Sequence, residues 1–297
     1  MTPRLGVLVL SHGTPPSLDD VAPFYTRIRR GSPPSSEQLA ELVGRYAAIG
    51  GTSPLTERTA AQVDGLRRTL DARGLGAVVE GGTKYATPTI EEACDRLVLA
   101  DVDHVVGIVL SPLDATTTTD QYHDRALAAI GGRAPYRAVR SWWQTPGFTA
   151  LLAARVRAVR ATGPSPLVLF TAHSLPVRVD PEGRYRGELA AAAAAIAELG
   201  GIEDYLVCWQ SAGRTADEWL GPDVLEVVDG LEPDSVSTVV VCPVGFVSDH
   251  LEVVYDLDVE AAQRAAARGL TLTRTDSLND DDEFVAILAD VVEAAGA

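Results

Sequence analysis

The chain has 297 residues, a formal net charge of −16 and a hydrophobic content of 46%, as expected for a globular protein with one large α/β domain or two lobes. The negative charge argues against nucleic acid as a partner, because phosphate binding requires a basic face. No apolar run reaches the roughly 20 residues of a transmembrane helix, and the first residues do not resemble a signal peptide. We therefore expect a cytoplasmic protein that does not insert into membranes.

Short apolar runs alternate with helical patterns along the whole chain. Buried parallel strands are predicted at 5–10, 105–111, 166–172, 204–210 and 237–246. Helices are predicted at 36–49, 60–74, 89–100, 188–201 and 281–296. The helix at 89–100 opens with a threonine and has two glutamates at the second and third positions after it, which is typical of a capped start. This alternation predicts an α/β fold with doubly wound, Rossmann-like parallel sheets.

Two pairs of segments repeat along the chain. "VLVLSHGTPP" (7–16) resembles "LVLFTAHSLP" (167–176), and "VVGIVLSPLD" (105–114) resembles "VVVCPVGFVS" (239–248). We therefore predict two similar lobes, 1–150 and 151–297, with a cleft between them and a last helix (about 281–295) that packs back on the N-terminal lobe. In such folds the ligand lies at the carboxyl ends of the strands. His12 and His173 both fall there, from opposite halves.

The stretch "PVGFVSDHLEVVYDLDVE" (243–260) contains acids at a spacing of four. A helix starting near Ser248 or Asp249 would place Glu252, Asp256 and Glu260 on one face. Their oxygen ligands suit a hydrated divalent cation, whereas we expect Asp249 to be a solvated acid favoured by the helix dipole. His173 can take up a proton or bind a metal near neutral pH. One histidine and one glutamate are few for a permanent metal site, and they suit a metal that passes through.

Other residues exclude several classes of site. The three cysteines are scattered without a CxxC pair, so we expect small buried residues and no thiolate zinc or iron–sulfur centre. Lys84 is the only lysine, and the arginine-rich composition of a GC-rich genome accounts for that. No phosphate-binding glycine loop, GxSxG elbow or HExxH motif is present.

Six stretches together resemble the ferrochelatase family, and most closely its short, soluble bacterial members that act on coproporphyrin III. They are "GTP" (13–15), "FYTRIRRG" (24–31), "RYAAIGGTSPL" (45–55), "AHSLP" (172–176), "WQSAGRTADEWLGPDV" (209–224) and the acidic stretch 243–260. The resemblance implies a lyase that inserts Fe²⁺ into a porphyrin in haem biosynthesis and releases two protons.

The resemblance also implies roles for individual residues. His173 and Glu252 would handle the metal and the protons, and Asp256 and Glu260 would form an outer cation site with Arg45. The implied porphyrin contacts are His12, Arg29, Arg45, Tyr46, Ser53 and Tyr122. Fe²⁺ and coproporphyrin III would be substrates, with no permanently bound cofactor and no iron–sulfur cluster, because the chain ends in "VVEAAGA" without the cysteines of longer members. We expect a monomer that hands its product to a later haem-pathway enzyme.

Two positions depart from the pattern of the family's close members. His12 stands where they carry tyrosine, and we predict that it is an axial ligand to the iron of the product. Leu113 stands where they often carry histidine, and we expect it to influence the pocket. Two alternatives therefore stay open: a family paralogue that uses another divalent metal or another tetrapyrrole, and a non-catalytic haem- or porphyrin-binding protein. The sequence also leaves open which of His173 and Glu252 is the base and which is the first metal ligand.

Overall fold

A computed structural model describes residues 4–160 and 166–297. One parallel sheet has the order β2-β1-β3-β4 and contains β1 (Leu5–Ser11), β2 (Val78–Thr83), β3 (His104–Val109) and β4 (Tyr136–Val139). The other has the order β6-β5-β7-β8 and contains β5 (Leu167–His173), β6 (Tyr205–Gln210), β7 (Thr238–Cys242) and β8 (Thr271–Arg274). Both sheets follow the same strand order. The predicted fold class is confirmed.

Helices flank both sheets. In the first half they are α1 (Val21–Ile28), α2 (Ser36–Ala48), α3 (Leu55–Ala72), α4 (Ile90–Leu99), α5 (Thr117–Ile130) and α6 (Pro146–Arg160). In the second half they are α7 (Arg184–Gly200), α8 (Val224–Gly230), α9 (Leu251–Val253), α10 (Ala262–Ala267) and α11 (Asp282–Gly296), and a π-helix (Val254–Ala261) joins α9 to α10. Thr89 and Glu92 form the expected capping box at the start of α4.

One apolar core connects the two halves. Its buried side chains come from both sheets and from α11, and include Phe148, Phe170 and Phe284. Gly65 of α3 lets α11 approach closely, because a Cβ there would lie 3.1 Å from Val285. Residue 150, the predicted lobe boundary, lies inside α6. No helix in the described ranges has both the length and the apolar character to cross a membrane.

The repeated segments occupy equivalent places. The "VLVLS" and "LVLFTA" runs lie in β1 and β5, the second strand of each sheet order, and the other repeated pair lies in β3 and β7. Each strand that leads to a histidine therefore has neighbours on both sides. The carboxyl ends of β1 and β5 carry His12 and His173.

Candidate functional site

His12 and His173 adopt the same local geometry in the two halves. The Nδ1 of His12 lies 3.1 Å from the carbonyl oxygen of Gly13, and the Nδ1 of His173 contacts the carbonyl oxygen of Ser174. A carbonyl oxygen only accepts hydrogen bonds, so both Nδ1 atoms carry the proton. Nε2 of each ring is therefore the nitrogen left for chemistry.

A glycine brings the turn after β7 against the end of β5. A Cβ on Gly245 would lie 2.6 Å from the Cβ of Ala172, closer than side chains tolerate. The close approach places Phe246 beside both His173 and His250, with ring centroids 6.4 and 4.8 Å apart. These aromatic contacts limit the positions that the His173 ring can take.

His173 and Glu252 form an ion pair, with 3.4 Å between Nε2 and Oε1. Burial alone would lower the pKa of His173, but the charge and hydrogen bond of Glu252 outweigh it and raise that pKa to about 9. Burial likewise opposes ionisation of Glu252, but His173 holds the pKa of this carboxyl down at about 2. At neutral pH the pair is therefore an imidazolium beside a carboxylate.

Buried polar contacts fix the backbone that carries Glu252. The side-chain amide of Gln210 donates to the Glu252 carbonyl oxygen at 3.0 Å, and Thr171 donates to Gln210 at 2.8 Å. The Nδ1 of His250 accepts from the Val253 amide and so caps α9. Neither Gln210 nor His250 was singled out from the sequence. Their role depends on contacts between strands and a helix that lie far apart along the chain.

His12 differs from His173 in its electrostatic surroundings. Its ring is accessible to solvent, but the surrounding protein reduces its hydration, which is the main reason that its pKa is lowered. The positive charges of Lys84 and His173 also lower that pKa, while Glu252 opposes them. Since its Nδ1 donates to Gly13, a neutral His12 keeps a lone pair on Nε2.

Arg45, Asp256 and Glu260 lie together beside a cavity of about 200 Å³. Arg45 Nη1 lies 3.4 Å from Asp256 Oδ1, and Ser211 Oγ donates to Asp256 Oδ2 at 2.5 Å. Burial raises the pKa of Asp256 to about 7, aided by the charges of Glu252 and Glu260 and opposed by Ser211 and Arg45. Asp256 is therefore a carboxyl that exchanges protons near neutral pH. Ser211 was not predicted as part of this group.

The acids Asp256 and Glu260 lie on the π-helix rather than on an ordinary α-helix. Such i→i+5 segments are rare and occur often at functional sites. The predicted start near Ser248 or Asp249 was wrong, because α9 begins at Leu251 with His250 as its cap. The periodicity of the acids does not distinguish an α-helix from a π-helix.

The sequence predicted that Asp249 is a solvated acid at a helix start, and this prediction was wrong. Its carboxylate accepts hydrogen bonds from Arg274 at 3.0 Å, Ser277 at 2.7 Å and Asn279 at 2.9 Å. Burial opposes its ionisation, but these hydrogen bonds and the charge of Arg274 hold the pKa of Asp249 below its usual value. The residue has a structural role behind the site.

Tyr46 and Tyr122 lie within the electrostatic reach of Glu252. Both rings are buried, and the charge of Glu252 contributes to the raised pKa of each phenol, although burial is the larger cause. The hydroxyl of Tyr46 lies 3.2 Å from Thr14 Oγ1. The ring of Tyr122 lies 4.8 Å from the ammonium of Lys84.

Two predicted porphyrin contacts, Arg29 and Ser53, bond to residues close to them in the sequence. The guanidinium of Arg29 packs over the ring of Tyr25, and Ser53 Oγ accepts from the amide of Leu55. Within the described residues, no hydrogen bond or ion pair joins Arg29 or Ser53 to His173 or Glu252. That Arg29 and Ser53 contact the porphyrin therefore stays a prediction.

Several further residues clarify what the site is not. Leu113 is fully buried in the large core, so it influences the cleft only through its neighbours. The three cysteines are free and buried, and burial raises the pKa of each thiol. Across residues 4–160 and 166–297, no three histidine, cysteine or acidic side chains are arranged to hold a metal ion. A second cavity, of about 590 Å³, lies beside α6, β7 and β8 and includes none of the site residues.

Sequence comparison places the chain among known proteins. It matches the family described as Ferrochelatase over residues 4–295. It is 36% identical to a ferrochelatase of Herpetosiphon aurantiacus, over 98% of this chain and 99% of that protein. It is 38% identical to a coproporphyrin III ferrochelatase of Geobacillus kaustophilus, over 97% of this chain and 94% of that protein.

Solved structures share the fold at much lower identity. SirB from Bacillus subtilis with Fe³⁺ superposes with a TM-score of 0.63 and 12% identity, covering 99% of this chain and 96% of that one. CbiX, the terminal enzyme of sirohaem synthesis in denitrifying bacteria, superposes with a TM-score of 0.59 and 17% identity, covering 98% and 99%. At these identities the likeness concerns the two-lobed α/β fold alone.

Proposed function

Because the chain belongs to the ferrochelatase family, as its sequence motifs predicted, we propose that it inserts Fe²⁺ into coproporphyrin III, a lyase reaction of haem biosynthesis. The observation that carries this proposal is the pairing of His173 with Glu252, near His12 from the other half. The macrocycle would lie between them, with His12 on one face and the ion pair on the other.

The chemistry requires two events at the centre of the ring. Two pyrrole N–H protons leave, and the metal loses its water as the pyrrole nitrogens replace it. A planar macrocycle hides its nitrogen lone pairs, so a pocket that distorts the ring accelerates both events with binding energy from the ring periphery. Tyr46, Tyr122, Ser53 and Arg29 would supply that peripheral binding.

Protons would leave on the face of the ion pair. Glu252 is ionised in the resting protein and can accept a proton, whereas His173 first has to release the one it holds. We assign Glu252 as the first acceptor and His173 as its partner and a metal ligand. Asp256, with its pKa of about 7, would pass protons towards Glu260 and solvent, since a relay works best near the operating pH.

The outer acids, which would also relay protons, and His12 would bind metal. Asp256 and Glu260 would hold a hydrated divalent cation beside the 200 Å³ cavity, with Arg45 offsetting their charge. On the opposite face, the free Nε2 of neutral His12 would bind the iron of the product axially. The metal is a substrate in this scheme and no resident cofactor is required.

Further proposals concern the whole protein. Residues 1–150 and 151–297 would act as the two lobes of a monomeric, cytoplasmic enzyme that lacks an iron–sulfur cluster. Its product would pass to a later enzyme of the same pathway.

An anaerobic assay with Fe²⁺ and coproporphyrin III tests the function. The purified protein should convert the metal-free absorbance spectrum to that of iron coproporphyrin, and His173→Ala should abolish turnover. His104→Ala is the matched control, because His104 begins β3 at the opposite end of the sheet. A wild-type protein that binds the porphyrin without metallating it would refute the proposal and favour a carrier.

The same assay tests the role of His12 as an iron ligand and the identity of the metal substrate. His12→Ala should change the spectrum of bound iron coproporphyrin and leave part of the insertion activity, because the base lies on the other face. An unchanged spectrum would remove His12 from the ligand set. The alternative of another divalent metal is favoured by the nitrogen ligand of His12, and competition between Fe²⁺, Co²⁺ and Zn²⁺ decides between the two.

A further inference from the structure

Lys84 lies at the carboxyl edge of the first sheet, next to His12. The Lys84 amide donates to the Ser11 carbonyl oxygen at 2.9 Å, and the following amide, of Tyr85, donates to the His12 carbonyl oxygen at 3.1 Å. The parallel ladder of β1 and β2 thus continues past the strand ends. The position of Lys84 beside His12 is consequently set by the backbone.

Two aromatic rings flank the ammonium of Lys84. Its Nζ lies 4.8 Å from the ring centroid of Tyr122 and 5.4 Å from that of Tyr85. The Tyr85 ring also packs against His12, with centroids 4.9 Å apart. Aromatic faces stabilise a cation only partly, so this arrangement holds the charge in place without neutralising it.

The ammonium has no anionic partner among the residues that the structure describes. The nearby guanidinium of Arg125 is already bound to both carboxylate oxygens of Glu91, at 2.8 and 2.7 Å. Arg30 adds a second like charge, and burial with these charges lowers the pKa of Lys84 to about 8. A half-buried cation without a counter-ion is unfavourable, and a carboxylate bound there would relieve it.

We propose that Lys84 binds a porphyrin carboxylate at a ring position where a dicarboxylate ring such as mesoporphyrin has none, and that this contact makes the cleft prefer a tetracarboxylate ring over a dicarboxylate one. The inference rests on the proposed function and adds a specificity residue to it. A porphyrin ring centred over His12, at the end of β1, would extend its edge towards the end of the neighbouring strand β2, where Lys84 lies. The carboxylate would supply the counter-ion that residues 4–160 and 166–297 do not provide.

Binding of metal-free porphyrins to Lys84 variants tests this. Lys84→Met should raise the Kd of coproporphyrin III about tenfold, because a charge-assisted contact is lost, and should leave that of mesoporphyrin, with two carboxylates, nearly unchanged. Lys84→Arg should restore most of the preference. Arg133→Met, on an arginine that pairs with Asp95 outside the cleft, controls for the change in net charge and should leave both Kd values unchanged.

The single lysine permits a second measurement on the wild-type protein. Reductive methylation with ¹³C-formaldehyde labels only Lys84 and the terminal amine, so the NMR titration midpoint of Lys84 can be followed directly. Coproporphyrin should raise that midpoint and mesoporphyrin should not. Porphyrin ring currents change the chemical shift of the labelled Lys84 amine in either complex, but they do not change the pH at which the amine is half titrated. A change in that midpoint therefore reports a carboxylate bound to Lys84.

Two results separate the possible failures. If the wild-type protein binds and metallates porphyrins but Lys84→Met keeps the full preference for coproporphyrin, Lys84 is only a solvated lysine at the cleft edge and the inference is wrong. If the wild-type protein metallates no porphyrin, the proposed function itself fails. A Lys84 midpoint that both porphyrins move equally also overturns the inference.

Discussion

The ion pair of His173 with Glu252 separates the two histidines of the cleft into different chemical states. Both rings donate a hydrogen bond from Nδ1 to a neighbouring carbonyl oxygen, yet within the described ranges only His173 has a carboxylate at its Nε2. His173 is therefore charged at neutral pH, while the lowered pKa of His12 keeps that ring neutral. Two similar strand ends thus carry one protonated imidazole and one neutral imidazole with a free Nε2.

The titration of His173 should depend on Glu252. Glu252→Gln should lower the pKa of His173 by at least about one unit, because the burial that opposes its charge is then less compensated. Histidine NMR of the five-histidine chain measures this directly. Asp217→Asn, in a surface pair with Arg178, should leave the midpoint unchanged, and an equal midpoint in Glu252→Gln would contradict the assignment.

The same shifts fix the pH window in which the pair supports the fold. The pKa of His173 is raised, so its contribution is complete below the ordinary value of 6.5 and is lost as pH rises through about 9. The pKa of Glu252 is lowered, so its contribution is complete above 4.5 and is lost as pH falls through about 2. The pair therefore stabilises the resting protein most between these two ordinary values.

At the scale of elements, the segment 243–261 depends on a buried network behind it. Asp249 accepts hydrogen bonds from Arg274, the last residue of β8, and from Ser277 and Asn279, which follow that strand. Asp249→Ala should therefore reduce the free energy of unfolding by about 2–3 kcal/mol, since charged hydrogen bonds are lost and donors stay buried. Urea unfolding measures this loss.

Asp258→Ala is the matched control for that change. Asp258 binds the same guanidinium, of Arg274, but is more exposed. Its removal should cost less than about 1 kcal/mol, as for surface ion pairs. Equal losses in the two variants would show that Asp249 is no more important to the fold than a surface acid.

The sequence predicted the central elements better than the peripheral ones. β1, β3, β5 and β7 carry continuous apolar runs because both of their faces are covered. β2, β4 and β8 were not predicted: they lie at sheet edges and read "VVEGGT", "YRAV" and "TLTR", which lack such runs. These segments form strands because they pair with a neighbouring strand of the sheet, and their own sequence of apolar and polar residues does not predict this.

The site was predictable to a similar extent. His12, His173 and Glu252 follow strongly patterned strands, so their meeting follows from the fold class. Gln210 was missed because its function depends on reaching the Glu252 carbonyl across the sheet. In the sequence, Lys84 stands out only as the single lysine. That no anionic side chain of the described part of the chain pairs with it can be seen only in the structure.

At the scale of the whole molecule, the two halves share one core and meet at several polar contacts. Arg73 of α3 binds Asp290 and Glu293 of α11 at 2.7 and 2.5 Å. Gln62 of α3 donates to Ser248 at 2.9 Å, beside the segment that carries Glu252. The spacing between His12 and the ion pair is consequently set by the packing of both halves.

The net charge of −16 has a consequence for substrate capture. A tetra-anionic porphyrin is repelled at long range, whereas Lys84 and the arginines at and just after the end of α1 (Arg27, Arg29 and Arg30) attract it only nearby. The Debye length shortens from about 30 Å at 0.01 M salt to about 8 Å at 0.15 M, which screens the distant repulsion first.

The association rate of coproporphyrin, measured by stopped-flow absorbance, should therefore rise with salt over this range. Mesoporphyrin, with half the charge, should show a smaller rise, because the repulsion scales with ligand charge. If the association rate of coproporphyrin instead falls with salt, the local cations attract the porphyrin at long range despite the negative net charge of the protein. That result would contradict the prediction.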